Sequence, residues 1–181
     1  MLRKKLKILA PRKYEIIQPI WFEPDREYLL DIVSKLEWNQ YVHKNGKRID
    51  NYKFAHYHDD QLQGFIETMP FLRKCKWRSS FVRITGSELE WHTDKNNKCA
   101  IIWGLKGWED SCTFFNPGRI DGGKPAHYRK WVYKDAIMDT TVQHKVELKS
   151  GEKIIYKISI IDKDFQWLCT EWAKAYKGFK L

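Results

Sequence analysis

Residues 81–103 read FVRITGSELEWHTDKNNKCAIIW, in which short runs of β-branched and aromatic residues are separated by a Gly-Ser pair and by a polar loop. Such runs, bounded by turn residues, are typical of β-strands. His92 and Asp94 stand two positions apart at the end of one run. Side chains at i and i+2 of a strand point to the same side, so this imidazole and this carboxylate can reach a common point. The pair is therefore a candidate metal-binding site.

Further strand-like runs surround this stretch and are separated by turn signals such as NPG, DGG and KSGE. The six runs are SFVRIT (80–85), CAIIWGL (99–105), CTFFNP (112–117), HYRKWVY (127–133), TVQHKVEL (141–148) and KIIYKISII (153–161). So many short strands in one segment predict a barrel or a two-sheet jelly roll. We therefore expect a mainly β fold with flanking helices.

Three segments outside these strands carry apolar residues at helical spacing. Their expected N-caps are Asp25, Asp59, and either Asp162 or Asp164, because a carboxylate there can accept a hydrogen bond from the first turn. The apolar stripes are Leu29, Leu30, Val33 and Leu36; Leu62, Phe65, Ile66 and Met69; and Phe165, Leu168, Cys169, Trp172 and Tyr176. We expect one domain, with a basic arm and helical support in 1–77, the β core in 78–161 and a C-terminal helix in 162–181.

The formal net charge of +10 favours anionic partners such as nucleic acid, acidic proteins or carboxylate and phosphate metabolites, without choosing among them. Part of this excess lies in MLRKKLKILAPRKY (1–14), which we interpret as a solvated basic arm, with a nucleic-acid-binding arm as the alternative. No window of about 18 apolar residues predicts a membrane span. The four cysteines are widely spaced, without a CxxC pair or an export signal, which indicates reduced thiols and a cytoplasmic location.

The metal hypothesis gains support from a distant histidine. His58 and Asp60 form a second His-x-Asp match, but that match runs into an expected helix N-terminus, where a capping role is favoured. His144 stands fifty positions after Asp94, within the strand-like run DTTVQHKVEL. Two imidazoles and one carboxylate are the ligand set that binds non-haem Fe(II) and leaves coordination positions open. Only a folded barrel would bring the third ligand to the first two.

The order of FVRITGSELEWHTD, FFNP, DTTVQHKVE and GEKIIYKISI resembles the double-stranded β-helix core, a jelly-roll and cupin-like fold, of the Fe(II)- and 2-oxoglutarate-dependent dioxygenases. The likeness covers about residues 78–161 and is closest to prolyl-hydroxylase-like and phage-encoded members. It implies that His92, Asp94 and His144 bind Fe(II), and that 2-oxoglutarate and O2 are co-substrates. A viral protein acting in the host cytoplasm would agree with this resemblance.

The basic residue that binds the far carboxylate of 2-oxoglutarate departs from the commonest family pattern. Many members use Arg in an Arg-x-Ser frame, whereas this chain has no Arg after Arg129. Members that resemble prolyl hydroxylases use Lys, and GEK supplies Lys153 nine positions after His144. KIS supplies Lys157 and Ser159 in an Arg-x-Ser-like frame, and all three residues share one strand face. Motif spacing favours Lys153 over Lys157 as the anchor.

The resemblance implies oxidative decarboxylation of 2-oxoglutarate to succinate and CO2, coupled to hydroxylation of a substrate C–H bond. The GEK context favours a protein side chain such as a prolyl residue; a small molecule stays open, and a nucleic acid is less favoured. Two other classes remain as alternatives. One is a non-catalytic jelly-roll binding module, and the other is a cupin-like metalloprotein that does not use 2-oxoglutarate.

Overall fold

The computed structural model describes residues 16–20, 22–42, 46, 48–94, 96–116, 119–120, 124–125, 129–149 and 151–176. Its α-helices are α1 (Arg26–Lys35), α2 (Asp60–Glu67) and α3 (Phe165–Ala175), and a short 3-10 helix spans Pro70–Lys74. Its strands are β1 (Ile17–Pro19), β2 (Asn39–Val42), β3 (Arg48–Ala55), β4 (Trp77–Thr85), β5 (Glu88–His92), β6 (Cys99–Lys106), β7 (Ser111–Asn116), β8 (Arg119–Ile120), β9 (Lys124–Pro125), β10 (Arg129–Trp131), β11 (Asp135–Asp139), β12 (Gln143–Leu148) and β13 (Glu152–Ile160).

Two antiparallel sheets make up most of the described structure. The large sheet has seven strands in the order β1-β11-β6-β13-β4-β3-β2, and the small sheet has four in the order β10-β7-β12-β5. Buried side chains from both sheets, among them Val82, Ile102, Phe115 and Val146, pack together in one apolar cluster. The mainly β fold with a jelly-roll, double-stranded β-helix core is thereby confirmed.

Strand β13 lies near the middle of the large sheet and is buried on both faces. Ile155 belongs to the cluster between the two sheets, whereas its neighbours Ile154 and Tyr156 belong to the cluster that packs under the helices. Since side chains alternate along a strand, Lys153, Lys157 and Ser159 share the face of Ile155 and point between the sheets. The parity expected from the sequence therefore directs two lysines into the barrel interior.

The helices begin where the capping signals indicated. Asp25, Asp59 and Asp164 each accept a hydrogen bond from the backbone N–H three residues later, at 2.8–3.0 Å. Asp162, the other candidate cap of α3, instead accepts from the backbone N–H of Lys76 at 2.8 Å. It thereby ties the start of α3 to the start of β4.

Three strands precede residue 77 that the sequence patterns did not predict. β1, β2 and β3 extend the large sheet at its two edges, so the N-terminal segment supplies more than helical support. β1 has only three residues, and β3 has a mixed polar and apolar surface that is mostly half-buried, which gives little periodic signal. The basic stretch 1–14 lies outside the described residues.

The structure also bears on the cysteines and on the expected lack of a membrane span. All four cysteines lie within the described residues, and none of them forms a disulfide bond there. Among the described helices, none has the length and apolar character needed to cross a membrane.

Candidate metal centre

The three predicted ligands meet at the end of the small sheet. His92 is the last residue of β5 and lies directly opposite His144 of β12 in the strand register. Their ring centroids are 4.3 Å apart, and Oδ1 of Asp94 lies 3.9 Å from Nε2 of His92. One ligand atom from each of the three residues lies within 4.8 Å of the others. Within the part of the chain that the structure describes, no other group of three such residues converges in this way.

A β-bulge turns His92 toward His144. In the pairing of β5 with β12, His92 is opposite His144 and Leu89 is opposite Val146, so two residues of β5 face one residue of β12. Simple alternation from the buried Leu89 would direct Trp91 inward and His92 outward. The extra residue reverses this parity and places both Leu89 and His92 on the interior face. Lys145, opposite the bulge, instead lies near the Trp91 ring at 5.7 Å.

Backbone hydrogen bonds hold the Asp94 loop against the turn that precedes His144. The N–H of Asp94 donates to the carbonyl of Thr140 at 3.0 Å, and the Thr140 hydroxyl donates to the carbonyl of Asn97 at 3.2 Å. The N–H of Asn97 donates to the Asp94 carbonyl at 3.0 Å. The second and third ligands, distant in sequence, are thus fixed to one another through the backbone.

Both imidazoles are oriented by their own strands. Nδ1 of His92 lies 2.7 Å from the carbonyl oxygen of Glu90, and Nδ1 of His144 lies 2.8 Å from that of Val142. Because a carbonyl can only accept, each Nδ1 carries the hydrogen, and in the neutral ring each Nε2 has a free lone pair. This is the tautomer that a metal ion requires at Nε2.

The side chain of His144 is held neutral by its surroundings. It is 3% exposed, and burial, with a smaller repulsion from His92, lowers its pKa to about 4. An imidazole with so low a pKa is unprotonated at neutral pH. It can therefore donate its lone pair without first losing a proton.

Asp94 is ionised and paired with a lysine. Burial disfavours the charge of Asp94, but attraction by Lys157 and His144 outweighs it and holds the pKa of Asp94 below its usual range. Nζ of Lys157 donates to Oδ2 of Asp94 at 2.5 Å, and although burial opposes it, this attraction raises the pKa of Lys157. The amide of Asn97 approaches the same oxygen at 3.5 Å. Oδ1 of Asp94 therefore faces His92, while Oδ2 faces Lys157.

The donor set fits a divalent transition-metal ion. It offers two imidazole Nε2 atoms and a carboxylate oxygen, the combination of non-haem iron sites with open positions. Ligand atoms about 2.1 Å from one ion and at right angles to each other are about 3 Å apart. The separations here extend to 4.8 Å, so the three side chains would draw together by small rotations when an ion binds.

Lys153 lies on the same interior face as Lys157 but has a different environment. Its side chain is 2% exposed, and Nζ lies 4.6 Å from the centroid of the Tyr133 ring. The hydroxyl of Tyr133 accepts a hydrogen bond from Thr113 at 3.3 Å. No carboxylate among the described residues forms an ion pair with Lys153. A buried ammonium group that contacts an aromatic ring and has no carboxylate partner among the described residues is suited to bind an anion.

Comparison with solved structures places this arrangement in a known architecture. A prolyl-4-hydroxylase of Pseudomonas putida matches with a TM-score of 0.51 and 11% identity, covering 76% of this chain and 84% of the other. An oxidoreductase of the 2OG-Fe(II) oxygenase family from Burkholderia pseudomallei matches with a TM-score of 0.52 and 10% identity, over 82% and 85%. The α-ketoglutarate-dependent carbocyclase SnoK matches with a TM-score of 0.52 and 10% identity, over 81% and 78%. The chain shares their fold. No family model matches the sequence, and no curated protein does so.

Three further residues near the motifs lie outside the ligand set. Ser159 is buried on the interior face, two residues beyond Lys157. His58 precedes the cap of α2 and belongs to no ligand group among the described residues. Arg83 points away from the barrel interior, where it pairs with Glu152 at 2.6 Å and lies over the Trp38 ring.

Sequence reasoning missed Tyr52 and Tyr133. Asn97, which follows the ligand pair closely enough in sequence to line the mouth of the site, is a partner of Asp94 in the structure. Tyr52 comes from β3, and its phenol lies near enough to Lys157 and Asp94 to interact with their charges. Burial raises the pKa of Tyr52, so its hydroxyl stays protonated. The alternation of Tyr52 and Phe54 in NYKFA could have predicted strand β3. It does not show that β3 pairs with β4, which brings Tyr52 to the centre.

Proposed function

We propose that this chain is an Fe(II)- and 2-oxoglutarate-dependent oxygenase that hydroxylates a C–H bond of a protein side chain, such as a prolyl residue, or of a small molecule. The observation that carries the proposal is the convergence of His92, Asp94 and His144, with ligand atoms within 4.8 Å. On the same interior face of β13 as Lys157, the buried Lys153 has no carboxylate partner among the described residues. The shared fold of oxygenases supports it.

Each residue of the centre would have a distinct role in the proposed reaction. Nε2 of His92, Nε2 of His144 and Oδ1 of Asp94 would hold the metal, with Glu90 and Val142 fixing the imidazole rings through their carbonyls. Fe(II) bound by such a set, with three positions open, supplies oxidation by O2 coupled to decarboxylation of 2-oxoglutarate to succinate and CO2. The barrel interior would orient the co-substrate and exclude bulk water.

Lys153 is the better candidate to bind the far carboxylate of 2-oxoglutarate. Lys157 already donates to Asp94, and Ser159 lies beyond it on the same strand. Lys153 lies four residues before Lys157 along β13, which corresponds to about 13 Å between their backbones. A dicarboxylate that binds both Lys153 and the metal would have to span this spacing. The Tyr133 ring lies beside Nζ of Lys153, while its hydroxyl accepts from Thr113 and donates to Sδ of Met138.

One observation favours a rival function. The ion pair between Lys157 and Asp94 satisfies this carboxylate without any metal, as a purely structural pair would. In a non-catalytic binding module of the same fold, this ion pair would only stabilise the structure. A binding module would not bind the metal ion, whereas the oxygenase would. A cupin-like protein would bind the metal ion but not 2-oxoglutarate.

The test is anaerobic titration with Fe(II) and 2-oxoglutarate, followed by visible absorption spectroscopy. The proposal expects a metal-to-ligand charge-transfer band that His92→Ala abolishes. Lys153→Met should raise the 2-oxoglutarate concentration for half-maximal absorbance at least tenfold, whereas the exposed control Lys149→Met should leave it unchanged. Absence of a band in the intact protein would refute the oxygenase. Given the band, succinate release in O2 across peptides, amino acids and nucleotides would identify the substrate class.

A further inference from the structure

Lys157 adds a positive charge to the candidate metal centre. Its Nζ lies 2.5 Å from Oδ2 of Asp94, and the residue is 8% exposed. It belongs to β13, paired on both sides by β4 and β6, so its backbone position is fixed within the large sheet. The lysine is therefore part of the built interior and is not a surface side chain that happens to reach the carboxylate.

In the described part of the chain, the ammonium group of Lys157 has no second carboxylate to pair with. Among the described residues, Asp94 is the single acidic partner within ion-pair distance of Lys157. The two charges lie in an interior where separation from a partner is costly. Lys157 would therefore stay beside Oδ2 of Asp94 when a divalent ion approaches Oδ1.

The charges in the interior disfavour the binding of a divalent cation without an accompanying anion. Asp94 carries the single negative charge of the candidate ligand set, and the positive charge of Lys157 balances it. Lys153 adds a second positive charge on the same face of β13. A divalent cation entering alone would bring the interior further from neutrality, whereas a divalent cation accompanied by a dicarboxylate would not. An anion that contacts both the metal and Lys153 would offset the repulsion.

We propose that Lys157 weakens metal binding in the absence of an anionic co-ligand and thereby couples the binding of the metal ion to that of a small dicarboxylate. This inference rests on the proposed function of the site. Binding coupling is reciprocal, so the dicarboxylate raises the affinity for metal by the same factor as the metal raises the affinity for the dicarboxylate. A charge at about 4–6 Å changes the affinity of a carboxylate for a proton by about 10- to 1000-fold, and a similar order applies to another cation.

The experiment measures Mn(II) affinity by electron paramagnetic resonance of the free ion, with and without saturating 2-oxoglutarate. In the unaltered chain, 2-oxoglutarate should raise Mn(II) affinity at least tenfold. Lys157→Met should bind Mn(II) alone at least tenfold more tightly than the unaltered chain, and the enhancement by 2-oxoglutarate should shrink. Lys157→Gln, which keeps a polar group in the interior, should behave likewise and serves if the Met variant does not fold.

The control is Lys149→Met, because it removes the positive charge of an exposed lysine that lies outside the interior. Its Mn(II) affinity without 2-oxoglutarate should change less than threefold. Mn(II) binding to both Lys157 variants that is unchanged or weaker than in the unaltered chain would overturn the inference while leaving the metal site intact. If Mn(II) binds to neither the unaltered chain nor the Lys157 variants, or binds equally after His92→Ala, the proposed function itself fails and the inference with it.

Discussion

At the scale of single residues, the chemistry of the centre depends on which atoms are left free. The sequence made His92, Asp94 and His144 candidate ligands, and the structure brings their potential ligand atoms within 4.8 Å of one another. It could not give the imidazole tautomers, because these follow from carbonyls of the same strand that lie within hydrogen-bond distance only in the folded state. Motif spacing favoured Lys153 over Lys157 as the anchor, but the two lysines share one parity. Their different environments follow only from the folded position of Asp94, which pairs with Lys157.

The low pKa of His144 predicts a pH dependence for the metal-free protein. The folded state takes up this proton near pH 4, whereas the unfolded chain takes it up near the ordinary value of 6.5. Acidification between these values therefore favours the unfolded chain, by about 3 kcal/mol at most. Urea unfolding in the presence of a chelator, near pH 7 and near pH 4.5, would measure this loss. His144→Gln should show a smaller loss across the same window; an equal loss would mean that His144 is not the group responsible.

At the scale of elements, the β-bulge in β5 lets Leu89 and His92 face the interior together. The notable feature of ELEWH is that strict alternation would place Trp91, and not His92, on the interior face with Leu89. The sequence predicted strands and an i, i+2 relation of His92 and Asp94, but not the extra residue, because bulges depend on the pairing partner. Register between β5 and β12 is a long-range property that local patterns do not contain.

Deletion of Glu90 should convert the bulge into regular pairing, with Leu89 still opposite Val146 and His92 still opposite His144. Because Trp91 alone would then separate Leu89 from His92, both side chains would keep facing the interior. We expect the protein to fold and its Mn(II) affinity, measured by the same resonance titration, to stay within about threefold, as for the control Glu90→Ala, which keeps the residue count. A tenfold loss of affinity after the deletion alone would contradict this account of the bulge.

The turn after β6 makes a separate prediction about stability. Gly107 has φ +66°, and a Cβ there would lie 2.0 Å from the carbonyl oxygen of Glu152, at the start of β13. Gly107→Ala should therefore lower the free energy of unfolding by about 2 kcal/mol or more, measured by urea denaturation. Gly64→Ala in α2 meets nothing within 4 Å and should raise it by about 0.5–1 kcal/mol. A neutral Gly107→Ala would contradict the close approach of this turn to β13.

At the scale of the whole molecule, the fold brings distant segments to one point. Strong local patterns predicted the helix caps and most strands of the β core, because buried strands and capped helices have clear periodicity. The patterns missed β1, β2 and β3, whose short or half-buried sequences carry little signal, and they also missed the buried strand β11. Tyr52 was missed together with β3. Tyr133 ends the predicted run HYRKWVY, but a local pattern does not show that its ring meets Lys153 of β13.

The central claim is that three side chains from β5, the following loop and β12 share one divalent ion. The most direct test is a crystal structure of the protein grown anaerobically with Mn(II), with anomalous scattering used to locate the metal. The account predicts a single strong peak about 2.2 Å from Nε2 of His92, Nε2 of His144 and Oδ1 of Asp94, with Lys157 still bound to Oδ2. A structure without that peak, or with the His144 imidazole outside the coordination sphere, would contradict it.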